Sequence, residues 1–433
     1  MPVISETNDI TSLHARRRKS LGPAYMHFYQ KPVHLVKGEG VWMWDTEGKQ
    51  YLDCYNNVAS VGHCHPHVVD ALCRQARTLN THTRYLHASA VEYAEMLAET
   101  LPGDISVSNL VCTGSEANDL ACQIARLVTG NRGLIILKNT YHGGTTLVHE
   151  LSPSSRAVAC PDYVVEIDVP DTYRGLHVGD AAAFSAHYAG LVDAAIETLT
   201  VRGHGVAALM IDSIYDAPGI FAPPPAYQQQ LFAAVRAAGG LVIADEVQSG
   251  LCRLGDHYWG VMDSGEAPDF ITMGKPMGNG HPIAVTATTP DIMQAFVDAG
   301  GDYFNTFAGN PVSAEVGKAV LEVVARDDLL TNVKDTSAYL IAGLNRLAGK
   351  HDIIGDVRGK GFFLAVELVR DRASKTSAGP ETLRVVEWAK DNGLLISNIT
   401  RAGNVLKIRP PLVFGKQHAD LALETLDAAL KAI

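Results

Sequence analysis

Between about residues 86 and 300, two kinds of apolar pattern alternate along the chain. Short continuous apolar runs are typical of buried strands, whereas apolar residues that recur every three or four positions are typical of helices. Strands are predicted at residues 110–112, 134–144, 206–212 and 240–246. Helices are predicted at residues 89–101, 186–200 and 225–238, and from the turn at 113–115 onward. This alternation predicts an α/β fold with a mostly parallel, doubly wound sheet.

The two ends of the chain have different patterns. Residues 33–51 alternate in the manner of a small antiparallel sheet. The chain beyond about residue 315 begins with a long helix, continues as a separate α+β pattern and ends in a helix from about Lys416. We therefore predict an N-terminal arm and small-domain part at 1–60, a large domain at 61–314 and a C-terminal small domain at 315–433, with the smaller α+β domain built from both chain ends.

Three local predictions come from the same patterns. Ser89 and Glu92 have the spacing of a capping box. Residues 150–185 have poor periodicity and are predicted to form a surface excursion. The three alternating histidines within 63–67 would share one face of a strand, as metal ligands do. Pro66 instead predicts a helix start there, so no metal site is expected.

Composition and charge narrow the class of protein. The chain has 433 residues, of which 47% are apolar and 19% charged, and these values are typical of a soluble globular enzyme. A net charge of −11 disfavours a nucleic-acid or anionic-membrane surface. We expect no signal peptide and no membrane span, because no apolar run approaches the ~18 residues that a span needs. Seven cysteines without a C-x-x-C pair predict buried reduced thiols and a cytoplasmic protein.

Lys275 is the centre of the candidate chemistry. The apolar pair Phe270–Ile271 leads into it, and the glycine-rich run 274–280 allows close approach of the backbone to a ligand. Asp245 stands at the carboxyl end of another strand pattern. A lysine amine can form a Schiff base with an aldehyde, and an aspartate can hold a pyridinium N–H, so the pair suits pyridoxal phosphate (PLP). Most lysines are simply solvated surface residues. Only the presence of the Asp245 motif favours a functional role for Lys275.

A turn rich in small residues predicts a phosphate site. Thr113, Gly114 and Ser115 connect a short strand to a helix, and the first turn of a helix offers free backbone N–H groups to an anion. Alone this motif is weak evidence. Together with Lys275 and Asp245 it is the predicted site of the PLP phosphate.

Three motifs together resemble the class III, or ω-aminotransferase, family of fold-type I PLP enzymes. They are Asp245-Glu246-Val247-Gln248, Thr272-Met273-Gly274-Lys275 and Gly114-Ser115-Glu116-Ala117-Asn118. The resemblance covers nearly the whole chain. It implies that Lys275 and Asp245 are catalytic, and that Val247 and Gln248 also contact the cofactor.

The same resemblance implies two further cofactor residues. Tyr141, in Tyr141-His142-Gly143, would place its ring over the pyridine face. Thr306 would reach the PLP phosphate of a partner subunit. The active site would then be shared within a homodimer or homotetramer.

Three positions depart from the transaminases of this family. Lys407 stands where an arginine clamps the carboxylate of a keto acid, and a lysine lacks the bidentate fork. Asp212 stands where a glutamate works as a switch against that arginine, so we expect the switch to be absent. Asn56 and Asn57 replace a small and an apolar residue of the substrate wall and add hydrogen-bond donors.

These departures resemble one subgroup, the ethanolamine-phosphate phospholyases and the related hydroxylysine-phosphate phospholyase. Among the stretches that carry this resemblance are Pro170–Gly175 and residues 404–412. The implied reaction eliminates phosphate from a phosphorylated amine and releases an aldehyde and ammonia. No keto acid takes part, so the arginine clamp is not needed.

Two alternatives and several candidate cations stay open at this point. A class III transaminase would share every cofactor residue, whereas a non-catalytic binding protein would have been free to lose Lys275 or Asp245. Candidates for holding the substrate phosphate are Arg16, in a basic run that is otherwise simply solvated, Lys407, and Arg409, which could instead form a structural ion pair.

Overall fold

The computed structural model describes residues 10–433. Its strands are Leu35–Glu39 (β1), Trp42–Asp45 (β2), Gln50–Asp53 (β3), Val107–Val111 (β4), Leu134–Leu137 (β5), Val164–Ile167 (β6), Ala208–Asp212 (β7), Leu241–Asp245 (β8), Phe270–Met273 (β9), Ala284–Thr288 (β10), Ile354–Lys360 (β11), Phe363–Asp371 (β12), Thr376–Ser377 (β13), Leu394–Leu395 (β14), Ser397–Ile399 (β15) and Val405–Ile408 (β16).

The helices of the described residues alternate with these strands. They are Ile10–Leu21 (α1), Pro66–Thr78 (α2), Ala88–Ala98 (α3), Gly114–Thr129 (α4), Thr146–Glu150 (α5), Ala181–Val201 (α6), Pro225–Ala237 (α7), Pro290–Asp298 (α8), Pro311–Arg326 (α9), Leu329–Ala348 (α10), Gly379–Asp391 (α11) and Lys416–Lys431 (α12). Short 3-10 helices lie at Gly260–Ser264 and Lys275–Gly278. None of the described helices is long and apolar enough to cross a membrane.

The central sheet has seven strands in the order β4-β10-β9-β8-β7-β5-β6. Strands β6, β5, β7, β8 and β9 are parallel, and β10 runs antiparallel to both of its neighbours, β9 and β4. All strands except β10 therefore run in one direction. The prediction of a mostly parallel sheet is confirmed, and the carboxyl ends of six strands meet at one edge.

The sheet is covered on both faces because successive strand residues point to opposite sides. In β5, Leu134 and Ile136 pack in a core with residues of α4, whereas Ile135 and Leu137 pack in the larger core with residues of α6 and α7. Strands buried on both faces read as continuous apolar runs rather than as an alternation. This is the physical reason that the sequence pattern identified the central strands.

Four local predictions are corrected. The segment 150–185 is not only a surface excursion, because β6 lies within it and pairs with β5. The polar arm contains a helix, α1. The N-cap of α3 is His87, whose Nδ1 accepts the N–H of Ser89 at 3.2 Å, so the predicted capping box is absent. The seven thiols are free, but those of Cys64, Cys73 and Cys160 are exposed rather than buried.

Two smaller sheets lie outside the central one. The first has the order β1-β2-β3-β14, and the second contains β11-β12-β16-β15. Strand β14 pairs in parallel with β3, so a C-terminal strand completes a sheet begun near the N-terminus. The domain boundaries at residues 60 and 314 stay predictions.

Two of the histidines within 63–67 have separate hydrogen-bond partners, since His63 bonds Asp53 and His67 bonds Glu322.

Candidate active site

One cavity of about 120 Å³ lies at the carboxyl edge of the central sheet. Ligands bind in this position in open α/β sheets. The cavity is lined by Gly114, Ser115, Tyr141, His142, Gly143, Asp212, Asp216, Ala217, Asp245, Val247, Gln248 and Lys275. The structure thus brings together every cofactor residue predicted from the sequence except Thr306.

The first turn of α4 forms one wall. Thr113 and Glu116 form a reciprocal capping box, in which Glu116 N donates to Thr113 Oγ at 3.2 Å and Thr113 N donates to Glu116 Oε2 at 2.9 Å. The N–H groups of Gly114 and Ser115 come next in this first turn, where the helix itself supplies no acceptor. A Cβ at Gly114 would lie 2.7 Å from Val247, so glycine is required there. This wall can bind a phosphate.

Asp245 is a buried carboxylate at the end of β8. Its Oδ2 accepts hydrogen bonds from His142 Nδ1 at 2.7 Å and from Asn118 Nδ2 at 2.8 Å, and its Oδ1 accepts the N–H of Val247 at 3.1 Å. Asn118 Oδ1 in turn accepts the hydroxyl of Thr272 at 2.5 Å. The carboxylate is therefore fixed by three donors while it lines the cavity.

Lys275 follows the end of β9 and opens a short 3-10 helix. Burial lowers the pKa of its amine, and the nearby charge of Arg409 lowers it further, against the opposing effect of Asp245 and Asp216. A lowered pKa increases the fraction of free amine, which is the form that acts as a nucleophile or base.

A second cavity adjoins the first and shares Tyr141, Gln248 and Lys275 with it. Its other lining residues are Phe28, Tyr29, Leu35, Met43, Asp53, Tyr55, Asn56, Asn57, Val58, Leu395, Lys407 and Arg409. Lys275, Lys407 and Arg409 are cationic, and Asp53 is the one carboxylate in this lining among the described residues. The predicted substrate residues other than Arg16 therefore lie beside the cofactor cavity.

The buried amine of Lys407 forms an ion pair with Asp216. The other oxygen of Asp216 accepts the amide N–H of Gln248, and Gln248 Oε1 accepts from the guanidinium of Arg409. The sequence analysis placed Asp212 at the position of the family's switching glutamate and expected the switch to be absent. The carboxylate that pairs with Lys407 is that of Asp216, four residues after Asp212.

Electrostatics couple these groups. Burial, and then the charge of Arg409, lower the pKa of Lys407 to about 7 against the effect of Asp216. Burial alone would raise the pKa of Asp216, but Lys407 and Arg409 hold it below its usual value. Burial, and then Asp216, raise the pKa of Asp212 to about 7. Lys407 therefore loses its proton far more easily than an exposed lysine does.

The remaining predicted residues have different surroundings. Asn57 is buried with its Nδ2 3.5 Å from Gln248 Oε1, and Asn56 uses its Oδ1 to accept the N–H of Val58 at 2.9 Å. Arg409 donates to an amide and to a main-chain carbonyl, so the alternative of a structural ion pair is not observed within residues 10–433.

Arg16 and Thr306 are exposed, and neither belongs to the lining of these two cavities. Their roles stay predictions.

Sequence reasoning missed three residues that shape the site. His142 and Asn118 belong to the motifs Tyr141–Gly143 and Gly114–Asn118, but the sequence analysis assigned roles only to other residues of these motifs. Asp216 had one signal, a second carboxylate just beyond the end of a buried strand. Its pairing with Lys407 depends on a contact across 191 positions and could not be read from local pattern.

The residues present fit PLP. The first turn of α4 offers donors to a phosphate, Asp245 would hold a proton on the pyridine nitrogen, and Lys275 is a half-buried amine in the wall of the same cavity. The aromatic ring of Tyr141 lines that cavity as well.

Comparisons with known proteins agree with this fit. A model of the aminotransferase class-III family matches residues 25–430. A Drosophila melanogaster protein named alanine–glyoxylate aminotransferase 2-like is 40% identical, over 100% of this chain and 89% of that protein. Caenorhabditis elegans ethanolamine-phosphate phospho-lyase homolog 1 is 34% identical, over 99% and 96%. A solved phospholyase from Arthrobacter in complex with phosphoethanolamine is 40% identical with a TM-score of 0.93, over 97% of this chain and 100% of that one.

The first prediction concerns attachment of the cofactor. Borohydride reduction of the PLP-loaded protein should fix PLP on Lys275, and Lys275→Ala should abolish the covalent label. Peptide mass spectrometry reads the position. Lys407 is the internal control, because its amine faces the adjoining cavity and also has a lowered pKa. Label on Lys407 in the wild-type protein would contradict the assignment.

The second prediction concerns pH. Sulfate, which does not titrate in this range, should bind the PLP-loaded protein more weakly as pH rises through about 7, because Lys407 becomes neutral. Arginine keeps its charge throughout, so Lys407→Arg should reduce this loss of affinity to the part caused by Asp212, whose carboxyl ionises over the same range. Calorimetric titration between about pH 6 and pH 8 measures both proteins. Equal pH dependence in the two would show that another group is responsible.

Proposed function

Because the chain belongs to the class III aminotransferase family of fold-type I PLP enzymes, we propose that it eliminates phosphate from O-phosphoethanolamine or a similar phosphorylated amine. The elimination consumes one water and releases inorganic phosphate, ammonia and an aldehyde. The observation that carries the proposal is the cationic wall beside the cofactor cavity, where Lys407 and Arg409 lie next to the amides of Asn57 and Gln248.

This wall suits a phosphate better than a carboxylate. A phosphate presents several acceptor oxygens and up to two negative charges, and both cations and amide donors can bind it. Lys407 is a point charge without the planar fork that matches a carboxylate. The 40% identity to a phospholyase solved with phosphoethanolamine supports the same choice.

The residues of the chain have the following proposed roles. PLP, when bound, supplies the electron-withdrawing ring that makes the proton on the amine-bearing carbon removable. Lys275 takes that proton, since its lowered pKa keeps the amine available as a base. Asp245 holds the proton on the ring nitrogen and is itself fixed by His142 and Asn118. Lys407 and Arg409 stabilise the phosphate as it leaves with the electrons of the carbon–oxygen bond.

A second candidate is transfer of the amino group to pyruvate or 2-oxoglutarate. It is favoured by the 40% identity to a protein named alanine–glyoxylate aminotransferase 2-like. The ion pair between Lys407 and Asp216 is compatible with a clamp for a keto acid as well. The cofactor residues are common to both reactions, so only the substrate side separates them.

We also propose that the active form is a homodimer or homotetramer with shared active sites. Two segments expose apolar side chains side by side, Leu79–Leu86 and Tyr303–Phe307, and the guanidinium of Arg84 lies 3.9 Å from the ring centroid of Phe304. Leu86 and Phe307 are 101% and 73% exposed. Large exposed apolar side chains on two neighbouring segments are typical of an interface, and the second segment includes Thr306, the residue proposed to reach the partner's PLP.

The third prediction decides the reaction. With O-phosphoethanolamine as sole substrate, the PLP-loaded protein should release phosphate, ammonia and acetaldehyde in equal amounts over many turnovers. Colorimetric phosphate and ammonia assays and an aldehyde dehydrogenase couple measure the three products, with Lys275→Ala as the inactive control. Turnover that requires pyruvate or 2-oxoglutarate would contradict elimination and establish the transaminase reading.

The fourth prediction concerns assembly. Phe307→Asp should place a charge in the proposed interface, dissociate the oligomer and lower activity by at least about tenfold, since a buried unpaired charge is strongly unfavourable. Val201→Asp is the matched control, because Val201 is 81% exposed at the end of α6, outside this surface. Sedimentation velocity and turnover are measured on the same samples. An active monomer, or a dimer unaffected by Phe307→Asp, would refute the interface.

A further inference from the structure

The loop that carries Asp216 has an unfavourable backbone conformation, which contacts with neighbouring residues must stabilise. It follows β7 and contains two non-glycine residues with positive φ, Tyr215 at 44° and Ile220 at 62°. Such conformations are unfavourable for residues with a side chain and persist only where neighbouring contacts fix them. On the side of β7, Asp212 Oδ1 accepts the N–H of Ile214 at 3.0 Å and that of Asp216 at 3.1 Å.

On its other side the loop is held by one arginine from the C-terminal sheet. Arg358, in β11, donates from Nε to the carbonyls of Gly219 at 3.0 Å and Ile220 at 3.1 Å, and from a terminal nitrogen to Gly219 at 2.7 Å. Its guanidinium also lies 4.4 Å from the ring centroid of Phe221. The planar fork thus binds two consecutive carbonyls, a geometry that a lysine cannot reproduce.

Arg358 is fixed in turn by two carboxylates, one of which is held by a second arginine. Its other terminal nitrogen donates to Glu367 Oε2 at 2.8 Å and to Asp356 at 2.9 Å. The remaining oxygen of Glu367 accepts from Arg174 Nε at 2.7 Å. Arg174 belongs to Pro170–Gly175, one of the stretches that carry the subgroup resemblance and that the cofactor chemistry leaves unexplained.

We propose that Arg358 is a positioning residue for the substrate side of the active site. It holds the loop 216–220 so that Asp216 stays between Lys407 and Gln248, and Arg174 supports it through Glu367. This role rests on the proposed function at one point: the anion that Lys407 binds is the phosphate of the substrate. Because two carboxylates neutralise Arg358, it acts on Asp216 through the backbone and not through its own charge.

The test reads the charge state of Lys407 through sulfate binding to the PLP-loaded protein. The charged groups that act on Lys407 are Arg409, Asp216 and Lys275. Arg409 and Lys275 lower the pKa of Lys407, whereas Asp216 raises it. In Asp216→Asn, sulfate affinity should therefore be lost at a lower pH than in the wild-type protein, by about one unit or more. Arg358→Lys, which keeps the charge but loses the fork, should move this pH in the same direction.

The double variant supplies the decisive comparison. If Arg358 acts through Asp216, Arg358→Lys should cause no further shift in the Asp216→Asn background, because the two effects are then not additive. Arg372→Lys is the matched control, since Arg372 also binds main-chain carbonyls of the C-terminal part, those of Asp352 and Ile354, at 3.1 and 3.0 Å. The control should leave the pH of the affinity loss unchanged.

Two results would overturn the proposal: an unchanged midpoint in Arg358→Lys, or an equal shift in the presence and absence of Asp216. Should Arg358→Lys fail to fold, Arg174→Lys tests the same chain of contacts from its partly exposed end and should give a smaller shift in the same direction. Sulfate binding needs no turnover, so a failure to release phosphate from O-phosphoethanolamine would refute the proposed function and leave this result standing.

Discussion

The buried carboxylate of Asp245 is the constraint on which the construction of the site depends. A buried charge must be satisfied by donors, and here they come from His142, after β5, and from Asn118, on α4. Asn118 also binds Thr272 of β9, the strand that delivers Lys275. The bonds that satisfy one carboxylate therefore also fix the strand before Lys275 against α4. All of these elements can meet there because their strands end at the same edge of the sheet.

Much of the fold and of the cofactor cavity could be predicted from the sequence, since both depend on local signals. Continuous apolar runs marked β5, β7 and β8. Asp245 stands at a strand end, and Gly114 and Lys275 each stand just after one. The rest depended on contacts between distant segments. The four-residue strand β6 is recognised only through its pairing with β5, and Asp216 acquires its role only when β16 brings Lys407 beside it.

The cavity beside the cofactor residues contains three cationic side chains, Lys275, Lys407 and Arg409, which repel each other. Whether such a side chain keeps its charge depends on whether it is a lysine or an arginine. Burial, and then Arg409, lower the pKa of Lys407 to about 7. The ordinary pKa of an arginine is much higher than that of a lysine, so an arginine under the same effects would keep its charge at neutral pH. Replacing the family's arginine by Lys407 therefore makes the charge of the wall adjustable by its immediate neighbours, Asp216 above all.

How firmly Asp216 is held bears on the reaction. A carboxylate that works as a switch must leave its cation when a second substrate enters. Asp216 is bound by Lys407 and Gln248 through its side chain and by Asp212 through its N–H, and its loop is bound by Arg358. Release would break several hydrogen bonds of a buried network at once, which is strongly unfavourable. Transamination passes two different substrates through one site, but elimination passes only one. A wall whose carboxylate is held in one position is thus better matched to elimination.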